Sequence, residues 1–141
     1  MKHHTIPRII TKLIIPMILL FGLYVQFHGD FSAGGGFQAG VIFASGFILY
    51  NIIFGIKVGI SILSIDMTKS LIAFGVLLYV IVGFMGILLG GNYLEYNALS
   101  NTSINGQLLG VFLIELGVGI TVCNVMILIF YAFNSNNKER L

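Results

Sequence analysis

Four long apolar runs, at about residues 9–27, 36–55, 70–90 and 107–131, leave this 141-residue chain few ways to fold. Each can cross a hydrocarbon core ~30 Å thick at a helical rise of ~1.5 Å per residue. Strands of a membrane barrel would be about half as long and would alternate polar with apolar residues. These runs do neither. Only 9% of the residues are charged and 57% are hydrophobic, whereas a water-soluble domain carries roughly a quarter charged residues. Too little polar surface remains to coat a globule in water. The chain is expected to be an all-α integral membrane protein, a single transmembrane domain of four helices spanning residues 1–141.

Basic residues set the expected orientation. Lys2, Arg8 and Lys12 precede or open the first run, Lys57 and Lys69 bracket the middle connection, and Lys138 and Arg140 follow the last run. The other two connections, 28–35 and 91–106, contain neither lysine nor arginine. All of the basic residues share one side if both termini are cytoplasmic. The first run lacks a small-x-small cleavage site before the polar stretch behind it, so it reads as a retained span rather than a signal peptide. Pro16 should kink it, because proline lacks an N–H and crowds the preceding turn. Residues 60–66 are expected in the cytoplasmic interface, and residues 92–105, rich in Asn, Ser, Thr and Tyr, in a polar outer loop.

Residues 28–40 read HGDFSAGGGFQAG, a polar joint wedged between two apolar runs. Lipid tolerates irregular backbone only where protein or a wet cavity satisfies its N–H and C=O groups. Three successive glycines there point to a helix start pressed against a neighbour. Glycines also recur four apart, as Gly36/Gly40 (extended by Ala44), Gly55/Gly59, Gly86/Gly90 and Gly106/Gly110. That spacing puts small residues on one helix face and lets a second helix approach closely. Such contacts form inside the chain or with partner subunits, and four helices cannot comfortably use that many grooves among themselves, which favours partners.

Glu115 is the only carboxylate well inside a run. About eight residues below the outer end of the last helix, it would lie ~12 Å into the membrane. A charge there costs at least ~2.5–3.5 kcal/mol unless it is neutralised, paired or hydrated. Two readings follow: a stop for a proton or cation on a transmembrane route, or a protonated acid bonding a neighbouring helix. Gly119, one turn on, would leave room for a partner. His28 and Asp30 stand at the outer mouth, where they either exchange protons or cations or anchor a helix end. Alone they are too few for a selective metal site. Cys123 is the only cysteine, which excludes an intrachain disulfide. Gly34-x-Gly36-x-x-Ala39 matches a dinucleotide pattern loosely, but no strand precedes it and no acid follows at about twenty positions. No cofactor, metal or nucleic-acid partner is expected. Tyr24, Asn51, Asn92, Gln107 and Asn124 read as interhelical hydrogen-bonders or interface anchors.

The segment FGLYVQFHGDFSAGGGFQAGVIFASGFIL resembles the MnhB/MrpB subunits of multisubunit Na+/H+ antiporters, whose pattern runs approximately HGH-x-SPGGGFQGG. The likeness continues in LIAFGVLLYVIVGFMGILLGGNYLEYNAL and LIELGVGITV, covering about residues 21–122. His28, Gly34, Gly35, Gly36, Phe37, Gln38, Gly40, Glu115 and Gly117 stand at matching positions. Asp30, Ala33 and Ala39 stand where the family has histidine, proline and glycine. The resemblance implies an accessory subunit, not an enzyme, of an antiporter exchanging Na+ (or K+) for H+ across the bacterial plasma membrane. Its implied partners are the other subunits of a hetero-oligomer, the transported ions and the lipid bilayer. Two large antiporter-like subunits of that family carry the main ion channels. The alternative is a structural adaptor in a related respiratory or hydrogenase complex. A self-contained homodimeric exporter is disfavoured, because such proteins carry their essential glutamate in the first helix and this first run has none.

Overall fold

A computed structural model describes residues 5–29, 34–99 and 103–136. The chain forms α1 (Thr5–Phe27), α2 (Gly36–Phe54), α3 (Ile56–Ile62), α4 (Ile65–Leu88), a short 3-10 helix (Tyr96–Leu99) and α5 (Ser103–Asn136). Among the described residues there is no strand, and α1, α2, α4 and α5 are long and apolar enough to cross a membrane. The all-α, four-span expectation holds.

Several helix boundaries differ from the apolar runs. α4 begins at Ile65 rather than near residue 70, because Ser64 caps it: its hydroxyl accepts from the Met67 N–H at 3.2 Å, with Asp66 in the first turn. The last helix, α5, overruns its apolar stretch at both ends. Hydropathy marks where lipid ends, whereas backbone hydrogen bonding continues into the interface. α1 runs as one helix through Pro16, which lies on its exposed side.

The spans pack in the order α1–α2–α5–α4, with α1 touching α5 only lightly. This is an open row rather than a closed bundle. Among the described residues only a few hydrophobic side chains are buried, Val82, Ile127 and Tyr131 the largest of them, while Leu13, Leu20, Phe74, Phe84 and Phe133 face outward. Such a surface suits hydrocarbon, where apolar burial supplies no drive and small residues decide the contacts.

Small residues do decide them. A methyl added at Gly40 would come within 2.7 Å of the Gly119 carbonyl, so α2 lies directly on α5. On the opposite flank of α5, a methyl at Gly75 would lie 2.7 Å from the Gly117 carbonyl of the α4–α5 crossing. Gly83 and Gly110 receive the rings of Tyr93 and Tyr96, folding the outer loop back onto α4 and α5. The glycine faces named here are thus occupied within the chain rather than by partners.

At the other end, Gly55 adopts φ +99° with open space around it, so its backbone freedom is what breaks α2 from α3. The chain then turns back. Gly59 packs on the Asn51 side chain, and the Tyr131 hydroxyl donates to the Leu63 carbonyl at 3.1 Å. Of the segment expected in the interface, Ile60 and Leu63 pack onto the Ala44–Ile127–Tyr131 cluster, whereas Ser61, Ile62 and Ser64 are exposed.

The outer loop is locked by Glu95, whose Oε2 accepts from the Asn92 backbone N–H at 2.7 Å and from Nδ2 at 3.0 Å. Burial, with Tyr79 and Tyr93 nearby, raises the Tyr96 phenol above its ordinary 10.0. The fold therefore favours the neutral phenol. Its contribution is complete below the unfolded value and is lost as pH climbs through the raised one. Amide protection of residues 93–99, taken relative to the intrinsic base-catalysed rate, should fall above pH ~10, and a Tyr96→Phe variant should lose less protection there.

Candidate functional site

α2 and α5 run parallel, with Gly36 beside Glu115 and Gly40 beside Gly119. The α1–α2 joint is therefore level with Glu115. α5 continues from there outward to Ser103, twelve residues or about 18 Å. Gly35 and Gly36, where the joint enters α2, are buried by protein well below the Ser103 end of α5, as a membrane requires at a break in helical backbone.

Glycine at this joint serves three distinct purposes. Gly34 has φ +150°, a turn conformation that side chains resist, and a methyl there would also meet Val25 at 2.9 Å. Gly35 makes room for the Glu115 side chain: an added methyl would stand 2.8 Å from Oε1. Gly36 lets the two backbones touch, since any methyl there would overlap the Glu115 main chain. Gly29, at the end of α1, completes the cradle, its added methyl falling 2.9 Å from Oε1 and 3.0 Å from Oε2.

Gly35 is also the N-cap of α2 and offers no side chain to it. The first N–H groups of a helix lack acceptors within that helix, and the positive end of its dipole favours an anion, by ~0.3–1 kcal/mol and up to ~2 where partly buried. The half-buried carboxylate of α5 stands at this place. The Glu115 side chain thus meets the end of α1 and the start of α2 in one place.

The other sequence candidates are placed differently. His28 is exposed at the end of α1; its ring stacks on Tyr24 with centroids 4.2 Å apart, and Nδ1 lies 3.2 Å from the Tyr24 carbonyl, to which it donates in the matching tautomer. Asp30 lies outside the described residues. Phe37 and Gln38 lie on the exposed side of α2. Gly117 faces Gly75 of α4, away from the joint, and the room beside Gly119 is filled by Gln26 and the Gly36 carbonyl of the same chain. Asn51 and Asn124 donate to carbonyls of their own helices, Phe47 and Ile120, and the Asn51 side chain also reaches the Tyr131 phenol of α5.

Gly29 and Gln26 escaped sequence reasoning, as did the meeting of the joint with Glu115. One signal was available: Gly36, Gly40 and Ala44 repeat at the same spacing as Glu115, Gly119 and Cys123, which suits two parallel helices in register.

Fold and site define a class, a small multi-pass membrane protein in which one acid of a spanning helix seats at the broken joint of two others. Residues 6–128 match the family described as "Domain related to MnhB subunit of Na+/H+ antiporter", and the chain belongs to that family. It is similar to antiporter subunit mnhB2 of Staphylococcus haemolyticus, 32% identical over 97% of this chain and 99% of that protein. Similarity extends to the B subunit of the Na(+)/H(+) antiporter of Alkalihalophilus pseudofirmus, 34% identical over 84% and 86% of the two chains. The mnhB2 protein of Staphylococcus aureus is 31% identical over 97% and 99%. The family is one of transporter subunits rather than enzymes.

Proposed function

We propose that this chain is the accessory B-type subunit of a multisubunit antiporter exchanging Na+ (or K+) for H+ across the bacterial plasma membrane. Glu115 serves on that route as a stop for the proton or cation. The observation that carries this reading is the seat of the Glu115 carboxylate against Gly29 and Gly35 at the start of α2, in a chain of the MnhB family.

Orientation follows from charge. The start of α1, the α2–α4 connection and the end of α5 share one end of the molecule: Arg8 and Lys12 each stand 6.0 Å from the Phe54 ring centre, and Tyr131 bonds Leu63. That end carries the described basic residues and is cytoplasmic by the positive-inside rule. Glu115 then lies in the outer half of the membrane. One acid does not make a complete pathway, so the remaining polar stations belong to other subunits.

The test is mild-detergent recovery of the tagged chain from its native membrane, followed by mass spectrometry. Large antiporter-like subunits should accompany it. Recovery of the chain alone as a discrete oligomer would overturn the accessory role.

A further inference from the structure

Where α1 begins and α2 ends, Pro7, Arg8 and residues 52–55 line a cavity of about 320 Å³. The grooves along the spans have mostly apolar walls, whereas this cavity is mostly polar. Arg8 and Lys12, one turn apart on α1, both stand over the Phe54 ring, 6.0 Å from its centre. Among the described residues neither cation pairs with an acid. On the α2 side, the Gly55 N–H donates the last bond of the helix to the Asn51 carbonyl. The carbonyls of Ile52, Ile53 and Phe54 come after it and have no donor within that helix.

Depth limits what such a site can take. The apolar spans run Ile6–Phe27 and Gly36–Phe54, so the cavity lies where both end, at the level of lipid headgroups. By the positive-inside rule this end is cytoplasmic, and anionic headgroups bind basic pockets between spanning helices on that side. An aromatic face holds a cation without cancelling its charge. Two like charges held over one ring repel each other, and an anion between them relieves the repulsion. Ile9 and Leu13, next to the two cations along α1, and Ile52 of α2 are exposed. A lipid uses that apolar surface, whereas a free phosphate uses the cations alone.

We propose that the cavity holds the headgroup of an anionic phosphoglycerol lipid. Its phosphate rests on Arg8 and Lys12, and its glycerol hydroxyls donate to the end carbonyls of α2. Its acyl chains lie along the exposed apolar residues beside them. The lipid thereby ties α2 to α1, the terminal helix of the row. This inference does not depend on the subunit reading.

The test takes the tagged full chain, with the subunits that co-purify, into phosphatidylcholine vesicles holding a trace of photoreactive lipid. The diazirine sits beside the headgroup, on phosphatidylglycerol in one sample and on phosphatidylcholine in the other. Irradiation should label residues 6–13 and 52–55 with phosphatidylglycerol about tenfold or more over phosphatidylcholine, the scale of two basic residues at a membrane surface. Arg8→Gln and Lys12→Gln should each cut that preference about fivefold. Lys69→Gln, at the same end but on α4, should leave it unchanged, and excess inorganic phosphate should not displace the lipid. Equal labelling by the two lipids overturns the inference, as does a preference that Lys69→Gln lowers as much as Arg8→Gln. Displacement by phosphate also overturns it and marks the site as one for a soluble anion. The preference of the unsubstituted chain decides the matter even where a variant accumulates poorly.

Discussion

Replacing Gly36 by leucine should strip this chain from its assembly. A methyl at that position already overlaps the carbonyl oxygen, carbonyl carbon and Cα of Glu115. Those are backbone atoms of a continuous helix, so no rotamer change relieves the clash. Overpacking a close contact typically costs ~1–3 kcal/mol where side chains can yield, and here α2 must instead move off α5. The same displacement lifts Gly35 away from the Glu115 carboxylate, so exchange should fall along with assembly. Native gels of detergent extracts should show the tagged chain absent from the large complex, and Gly36→Ala should show a milder form of the same loss. Phe37→Leu supplies the control, since Phe37 is 59% exposed beside the same joint. Normal co-purification of Gly36→Leu would mean that α2 and α5 do not meet at this point.

Glu115→Gln should separate transport from architecture. Glutamine keeps the size and the hydrogen-bonding capacity of the acid, but it neither exchanges a proton nor neutralises a cation. Assembly should therefore persist. Na+-dependent proton exchange in everted vesicles should drop at least about tenfold, equivalent to ~1.4 kcal/mol in the limiting barrier. Unchanged exchange with an intact complex would leave Glu115 as structural glue and favour the adaptor reading of the family. The two substitutions act within the same contact, so their effects should not add.

Much of the architecture was legible because hydrocarbon is a strict solvent. Four runs of sufficient length can only be spans, and the GGGFQ joint stands out because lipid penalises loose backbone. Ser64 caps the start of α4 in the structure, with Asp66 in the first turn, whereas the apolar run pointed several residues further on. What the sequence concealed was facing. α2 and α4 are apolar all round, so no amphipathic stripe tells which side meets a neighbour. Their buried residues are mostly the small ones, Gly36, Ala39, Gly40 and Ala44 in α2 and Gly75, Gly83 and Gly86 in α4. Glycine count announced close packing without saying whether another subunit or the same chain would occupy it.

The division has a physical cause. Solvent preference is a property of each residue, so composition and spacing alone determined the membrane class, the four spans, the joint and the isolated acid. Partnership is a property of pairs distant in the chain. Only the tertiary structure decided that α1–α2–α5–α4 form an open row, and that Gly29, Gly35 and Gly36 close around Glu115. The same holds for Gln26 and Asn124, which it buried with a donor and an acceptor unanswered among the described residues. In lipid these contacts rest on shape and hydrogen bonds rather than on hydrophobic burial, and neither can be read along a chain until its helices are laid side by side.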